Sequence, residues 1–418
     1  MGNALNLTGI AVSPERFKWK RLAQKLARET LFPRSEEIDR EGRFPTENMR
    51  ALGDAGLMGL MVPEEMGGPG GDILTTAMVI EQLAQGCAST AMSYTMHASI
   101  APLLVALANE EQRERILLPM VRGEILFSVA MSEPGSGNRL WHMDSFAQQN
   151  GRGYIIDSFK SFATSCGYSD YFLVPLRANS EARSDDLSIF VIDAKDENVK
   201  PIGVWDGMGL RGNSSRPVHF DKCLVPAENL LGHPTCGFSM MFAYTLPVYQ
   251  VGLAAVYLGI AQAAYEIAVE HVKKRIHSDT NTSLARMETV QRYIAEMNVR
   301  LEQARNLVYR VAQMSDNALV LFNELHESDL LDEIIRENPD DPFFVEVAQV
   351  KISSCEMATD VTNKALQVCG GTGYKRGHPV ERCYRDARAG SVMGPADDTL
   401  KLIVGRQILG IPQPWDLD

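Results

Sequence analysis

The spacing of apolar residues divides the chain into three segments. Residues 1–126 are mostly helical by pattern, residues 127–237 contain short β-rich runs, and residues 238–418 return to helical spacing. We therefore predict an N-terminal helical domain, a central β-domain and a C-terminal helical domain with these boundaries. Ser13-Pro14-Glu15 predicts the start of the first helix, because serine caps a helix and proline is tolerated in its first turn.

In the central segment, short strand-like runs alternate with turns. Its β-rich runs Tyr154–Ile156, Tyr171–Val174 and Ile189–Ile192 are separated by turns that contain Gly, Asn and Asp. This alternation favours an antiparallel sheet.

The C-terminal segment carries a regular apolar seam. Its members alternate in steps of four and three, namely Val290, Ile294, Met297, Leu301, Ala304, Val308 and Val311. Such a seam packs against a neighbouring helix at a shallow angle, as in a four-helix bundle. The longest apolar stretch, Val251–Ile267, is interrupted by polar side chains, and we interpret it as a buried core helix rather than a membrane span.

Composition narrows the choice of partners and compartment. The 418 residues carry a net charge of −12, which argues against nucleic acid or an anionic membrane as the main partner. The seven cysteines are scattered and contain no CxxC, so neither a metal site nor a disulfide framework is expected. Reduced thiols and the lack of a recognisable secretory signal favour a cytoplasmic protein.

Three stretches carry candidate chemistry. Ala130–Asn138 reads AMSEPGSGN, and the amides of such a turn can donate to an anion or to the carbonyl edge of a planar ring. Ser158–Ser165 reads SFKSFATS, in which Phe162 offers a flat apolar surface and Thr164 a hydroxyl. Gln367–Arg388 reads QVCGGTGYKRGHPVERCYRDAR, where a Gly-Gly pair follows a long amphipathic helix.

Together with GMGLRGNSSRPVHF at Gly207–Phe220, these stretches have the order and spacing of the acyl-CoA dehydrogenase family. The chain resembles that family from about residue 15 to residue 412. The resemblance implies a mainly α protein with an N-terminal helical domain, an antiparallel β-domain and a C-terminal four-helix bundle. It also implies FAD rather than FMN, and a homodimer or homotetramer with the flavin near a subunit interface.

The resemblance implies two sets of ligand-binding residues. Those matched to flavin contacts are Met131, Ser132, Phe162, Thr164, Arg275, Gln367, Gly370 and Gly371. Those matched to the substrate region are Asn138, Arg139, Tyr249 and Gln250. The family residue that matches Arg275 binds the flavin pyrophosphate of a neighbouring subunit, a role that suits the paired donors of a guanidinium.

The family removes the α-proton of its substrate with a glutamate, and this chain has other residues at both usual positions. Gap-free alignment places Gly394 at one of them, and counting ten residues back from Gly259 places Tyr249 at the other. Asp398 and His97 are the candidate replacement bases. Asp398 lies within about one helical turn of Gly394. The alternative is that Asp397 and Asp398 cap the last helix, since aspartate is common at a helix start.

Three functions are compatible with these residues. The first is α,β-dehydrogenation of an acyl thioester on CoA or a carrier protein, with an electron-transfer flavoprotein or oxygen as acceptor. The second is a flavin-dependent monooxygenase or oxidase on the same fold, which the two lost glutamates favour. The third is a non-catalytic acyl-binding subunit, against which the retained flavin motifs argue.

Overall fold

Helices fill the N-terminal segment of the computed structural model, which describes residues 13–137, 139, 142–325, 331, 334–335 and 342–414. Ser13 caps the first helix, because its hydroxyl accepts a hydrogen bond from the Arg16 amide at 3.2 Å, and the predicted start is confirmed. The helices are α1 Pro14–Leu26, α2 Phe32–Glu41, α3 Thr46–Asp54, α4 Ile73–Gly86, α5 Ala88–Ala98, α6 Ala101–Leu107, α7 Glu110–Gln112 and α8 Leu118–Val121.

Two four-stranded sheets form the central segment. Their strands are β1 Phe127–Val129, β2 Ala147–Gln149, β3 Gly153–Ala163, β4 Tyr171–Arg177, β5 Leu187–Asp193, β6 Val199–Pro201, β7 Arg216–Pro226 and β8 Leu230–Leu231. One sheet has the order β1-β4-β5-β8 and the other the order β2-β3-β7-β6. The three predicted runs lie within β3, β4 and β5. The expectation of an antiparallel sheet needs one correction, because β1 pairs with β4 in parallel.

A second, small core contains side chains from both sheets and is distinct from the main helical core. Ile156, Phe172, Phe190 and Phe220 are fully buried in it, and the rings of Phe172 and Phe220 meet edge to face at 5.6 Å. The inward residues alternate with exposed ones along β3 and β7, as expected for strands with one face buried. This packing fixes the end of β3, where two of the predicted flavin contacts lie.

The C-terminal segment is a helical bundle. It consists of α9 Gly237–Met240, α10 Leu246–Lys274, the short hairpin β9 Ile276–His277 and β10 Thr282–Ser283, α11 Glu288–Leu325, α12 Pro342–Gly373, α13 Pro379–Val392 and α14 Asp397–Leu409. The central helix α10 packs against α11, α12 and α13, and on its other side against α4 and α5.

Five of the seven seam residues predicted in this segment are buried, while Val290 and Ile294 are partly buried. In the seam of α11, Met297, Leu301, Ala304, Val308 and Val311 are buried in the main core. By length and composition two helical stretches, Ala88–Leu107 and Gly237–Lys274, would be apolar enough to cross a membrane, but their apolar windows are 83% and 72% buried inside the protein. They therefore serve as core helices in this fold.

Candidate active site

A cavity of about 590 Å³ lies where the loops of the β-domain meet α10, α12 and the connection between α13 and α14. Most of its lining is apolar and includes Phe238, Phe242, Phe344, Val347 and Ile403. Its polar groups include Thr164 and Ser215 of the β-domain and Tyr249 and Gln250 of α10. This mixture of apolar surface and few polar groups is typical of small-molecule sites.

The β-domain contributes a flat wall at the end of β3. Phe162 is 61% exposed, unusually high for a large aromatic side chain, and its ring meets Trp205 edge to face at 6.5 Å. Beside it, the Thr164 and Ser215 hydroxyls form a hydrogen bond of 3.1 Å. The loop after β1 is held against the same strand, because the Ser161 amide donates to the Ser132 carbonyl at 2.7 Å.

A buried ion pair supports this wall. The ammonium of Lys160 lies 2.8 Å from Glu133, and neither side chain is more than 2% exposed. Burial alone would raise the pKa of Glu133. Attraction to Lys160 and hydrogen bonds from Asp144 and Ser145 instead lower this pKa below its usual value. Glu133 lines the cavity as a paired carboxylate and is therefore a poor candidate for a base.

The helical side of the cavity is formed by Tyr249 and Gly394. The two residues are 145 positions apart in sequence, yet the Tyr249 hydroxyl donates to the Gly394 carbonyl at 3.1 Å. Burial raises the pKa of Tyr249 well above its usual value, with a smaller contribution from Cys355. A Cβ atom placed on Gly394 would meet nothing within 4 Å, so the position has room for a side chain.

A buried lysine anchors the segment that contains Gly394. The Lys351 ammonium of α12 is fully buried and donates to the Gly390 and Pro395 carbonyls at 2.8 and 2.9 Å. It also forms an ion pair of 2.8 Å with Asp397 in the first turn of α14. These contacts join α12, α13 and α14 directly behind the cavity wall.

Sequence comparison matches three models of one family to consecutive parts of the chain. The acyl-CoA dehydrogenase N-terminal domain matches residues 13–124, the middle domain residues 128–223 and the C-terminal domain residues 237–409. The chain belongs to the acyl-CoA dehydrogenase family. It is therefore an FAD-dependent oxidoreductase with the fold that its motifs implied.

Three relatives illustrate the membership. The short-chain specific acyl-CoA dehydrogenase of Clostridium acetobutylicum is 30% identical over 390 residues, which cover 93% of this chain and 96% of the relative. The 3-(aryl)acrylate reductase of Clostridium sporogenes is 29% identical over 392 residues, or 93% and 97% of the two chains. The structure of butyryl-CoA dehydrogenase from Megasphaera elsdenii superimposes with a TM-score of 0.86 at 27% identity, covering 96% of this chain and 99% of that one.

The wall at the end of β3 has groups that could hold a flavin ring. Phe162 and Trp205 expose aromatic surface that a planar ring can cover, and Thr164 and Ser215 supply hydroxyls for its polar edge. Met131 and Ser132 line the same cavity, so the structure brings together four of the residues predicted to bind FAD. Their individual contacts with the flavin stay a prediction.

The other four predicted flavin residues lie outside this cavity. Arg275 follows the last turn of α10, and Gln367, Gly370 and Gly371 lie near the end of α12; all four are exposed. The backbone leaves helical geometry at Gly370, whose φ is 57°, a value that glycine adopts readily. These residues therefore present an open surface on the single chain.

Neither candidate base faces the cavity, and both proposals need correction. His97 is fully buried, with Nε2 2.9 Å from the Met58 carbonyl and Nδ1 accepting from the Phe127 amide at 3.1 Å. Burial lowers the pKa of His97 to about 4. Asp398 is exposed in the first turn of α14 and does not line the cavity. The helix cap of α14 is Ala396, and Asp397 pairs with Lys351 instead of capping.

The predicted substrate residues are divided among three places. Tyr249 and Gln250 line the cavity. Arg139 lies at the surface, where its guanidinium donates to the Gly135 and Ser136 carbonyls at 3.3 and 3.4 Å, while Asn138 lies outside the described residues.

Sequence reasoning missed Lys351 and the polar residue Thr245. Thr245 lines the cavity one turn before Tyr249, and its buried hydroxyl has no hydrogen-bond partner. Lys351 had a detectable signal, because it is a lone charge among the apolar positions of α12 that face the core.

Proposed function

We propose that the protein catalyses FAD-dependent oxidation or reduction of the bond between the α- and β-carbons of an acyl thioester. The observation that carries the proposal is that Phe162 and Thr164 line one apolar cavity together with Tyr249 and Gly394. Bound FAD supplies the two-electron chemistry at the β-carbon. The names of the relatives, which include acyl-CoA dehydrogenases and a 3-(aryl)acrylate reductase, support both directions of this reaction.

The chain's own residues position the substrate. The apolar wall formed by Phe238, Phe242 and Phe344 can bury an acyl chain and exclude water from the reacting carbons. Tyr249 has a hydroxyl at a position where the family has a carboxylate. The proton at the α-carbon is therefore transferred by a phenol.

We further propose a homo-oligomer in which a second copy completes the FAD site. Arg275, Gln367, Gly370 and Gly371 are exposed on the single chain and lie outside the cavity, which supports a contact with the dinucleotide across a subunit interface. An electron-transfer flavoprotein is the proposed redox partner, and oxygen is the alternative.

Anaerobic flavin spectroscopy tests the proposed reaction. The purified holoprotein is mixed without oxygen, first in its oxidised form with butyryl-CoA and then in its dithionite-reduced form with crotonyl-CoA. Loss of flavin absorbance in the first case, or its return in the second, is the expected result. If neither acyl-CoA exchanges electrons and the enzyme consumes oxygen with NAD(P)H, the protein is a monooxygenase or oxidase instead. A protein without bound flavin would support the non-catalytic alternative.

A matched pair of variants tests the flavin wall. Phe162→Ala removes an aromatic surface from the cavity and should weaken FAD binding by about tenfold or more, measured by the recovery of FAD fluorescence on dilution. Phe159→Ala changes an aromatic residue on the same strand that contacts His219 and does not line the cavity, and it should leave FAD affinity within about twofold of the unmodified protein. Equal affinities for all three proteins would contradict the assignment.

A further inference from the structure

The two positions that hold a glutamate in the family meet at one point of the cavity. Tyr249 occupies one of them and Gly394 the other, and a hydrogen bond of 3.1 Å joins the tyrosine hydroxyl to the glycine carbonyl. The phenol therefore lies where the family places its proton-transferring group. This convergence was not visible in the sequence, where the two positions are 145 residues apart.

Among the described residues that line the cavity, Glu133 and Tyr249 are the titratable side chains. Glu133 is bound to Lys160 at 2.8 Å and accepts further hydrogen bonds from the Asp144 and Ser145 amides at 2.6 and 3.1 Å. A carboxylate with these partners has little capacity to take a substrate proton. Tyr249 is thus the group left to act on the α-carbon.

The surroundings of Tyr249 favour the protonated phenol. Its partner is a carbonyl, which accepts a hydrogen bond and would repel a phenolate. Cys355 on α12 faces it, and burial raises the pKa of that thiol too, so this neighbour is neutral. Tyr257 on the same helix is buried, and the Lys351–Asp397 pair behind Gly394 brings opposite charges together. Nothing in this arrangement stabilises a negative charge on Tyr249 in the way that an adjacent unpaired cation would.

We propose that Tyr249 donates a proton to the α-carbon of an α,β-unsaturated acyl thioester, and that the site is built for reduction of the double bond. This inference rests on the proposed function. Reduced FAD would supply two electrons and one proton to the β-carbon, and an external electron donor would reduce the flavin again. The Tyr249 O–H bond breaks as a C–H bond forms at the α-carbon, and the carbon–carbon double bond becomes single. Solvent then returns a proton to the phenolate.

At each pH the equilibrium constant fixes the ratio of the reduction rate to the oxidation rate. The proton-transferring group is therefore identified by which of these two rates changes with pH. Reduction needs the neutral phenol, which is present at neutral pH, whereas oxidation needs the phenolate. Between about pH 7 and pH 9 the reduction rate should therefore be constant, and the oxidation rate should rise about tenfold per pH unit. A carboxylate base would give the reverse pattern, with constant oxidation and falling reduction.

Rapid-mixing experiments on the holoenzyme test this assignment. Crotonyl-CoA is mixed anaerobically with reduced enzyme and butyryl-CoA with oxidised enzyme across that pH range. Tyr249→Phe keeps the ring and should slow reoxidation by crotonyl-CoA about 10²- to 10⁴-fold. Tyr244→Phe removes a buried hydroxyl from the preceding helical turn, outside the cavity, and should change the rate less than about twofold.

Two further measurements test the same assignment, and the first does not depend on turnover. A pH titration followed by ultraviolet difference absorbance between the unmodified protein and Tyr249→Phe should show one phenol that ionises above the ordinary tyrosine pKa. Gly394→Glu restores a family carboxylate at a position with free space, and it should make the oxidation rate independent of pH above neutrality.

The outcomes separate this inference from the proposed function. Electron exchange with unchanged rates in Tyr249→Phe would overturn the role of Tyr249 while leaving the function in place. A pH-independent oxidation rate in the unmodified enzyme would do the same without requiring any variant. If the unmodified enzyme exchanges electrons with neither acyl-CoA, the proposed function itself fails.

Discussion

Gln250 is a buried polar side chain of the cavity whose amide makes no hydrogen bond within the protein. It is 1% exposed, and neither its amide oxygen nor its amide nitrogen has a hydrogen-bond partner. A buried amide without partners in the protein lowers stability, and its place beside Tyr249 in the cavity lining suits it to bind a ligand.

Replacing Gln250 should therefore stabilise the protein. Gln250→Met keeps the length of the side chain and removes the two unpartnered atoms, and we expect the free energy of unfolding to rise by about 1–2 kcal/mol. Gln112→Met is the matched control, because the Gln112 amide donates to the Glu228 and Leu230 carbonyls at 2.8 and 3.0 Å. That variant should be destabilised. Urea unfolding measures both, and a loss of stability in Gln250→Met would contradict the argument.

At the residue scale, the sequence identified two residues that line the cavity, Tyr249 and Gly394, but not the contact between them. Tyr249 and Gly394 could be found by counting along the chain, because both lie in segments that align with the family without gaps. Counting could not show their hydrogen bond, which depends on how α10 packs against α12 and α13. His97 and Asp398 failed as candidates for a related reason. A sequence identifies a titratable side chain, but its hydrogen-bond partners and exposure come from tertiary packing.

At the element scale, Lys351 connects three helices through one buried charge. Its ammonium on α12 binds the Gly390 carbonyl of α13 and the Asp397 carboxylate of α14, both at 2.8 Å. Such a pair adds little net stability over an apolar core, yet removing one partner leaves the other charge buried and unpaired. Its position behind Gly394 indicates that it holds the active-site connection in one conformation.

Breaking the pair should be far more harmful than replacing it. Lys351→Met leaves the Asp397 carboxylate buried without its cation and should lower the free energy of unfolding by about 3–5 kcal/mol. The double variant Lys351→Met with Asp397→Leu removes both charges and should recover part of that loss. Chemical denaturation of the single and double variants gives the coupling between the two sites. Additive losses would show that the two side chains do not act as a pair.

The elements themselves were predictable where a local period decides them. The α11 seam and the start of α1 at Ser13 follow from side-chain spacing and capping, which act within a few residues. The division of the strands into two sheets, and the parallel pairing of β1 with β4, depend on contacts between distant segments and were not predictable from those patterns.

At the scale of the whole molecule, the residues predicted to bind FAD lie in two places. Phe162 lines the cavity, whereas Arg275 and the Gly370–Gly371 turn are exposed on the bundle. Large apolar side chains are also exposed near the C-terminal end of the bundle, where Leu402, Ile408 and Leu409 are 48%, 70% and 71% exposed. An exposed apolar surface of this kind supports association with a second copy.

A mixing experiment tests whether two chains share each FAD site. Phe162→Ala damages the flavin wall, and Arg275→Ala removes the proposed pyrophosphate contact; each variant alone should bind FAD weakly. If Arg275 acts on the neighbour's FAD, a mixed dimer contains one doubly damaged site and one intact site. Random exchange of equal amounts should then restore tight FAD binding at about one quarter of the sites. Fluorescence titration after subunit exchange measures the restored fraction.

The control for that experiment uses two defects on the same wall. Phe162 and Trp205 line one cavity, so mixing Phe162→Ala with Trp205→Ala leaves every site with at least one defect and should restore no tight binding. Restoration in this control would show that exchange itself repairs the protein. Failure of the Phe162→Ala and Arg275→Ala mixture, with native mass spectrometry confirming mixed dimers, would instead place both residues in the FAD site of one chain.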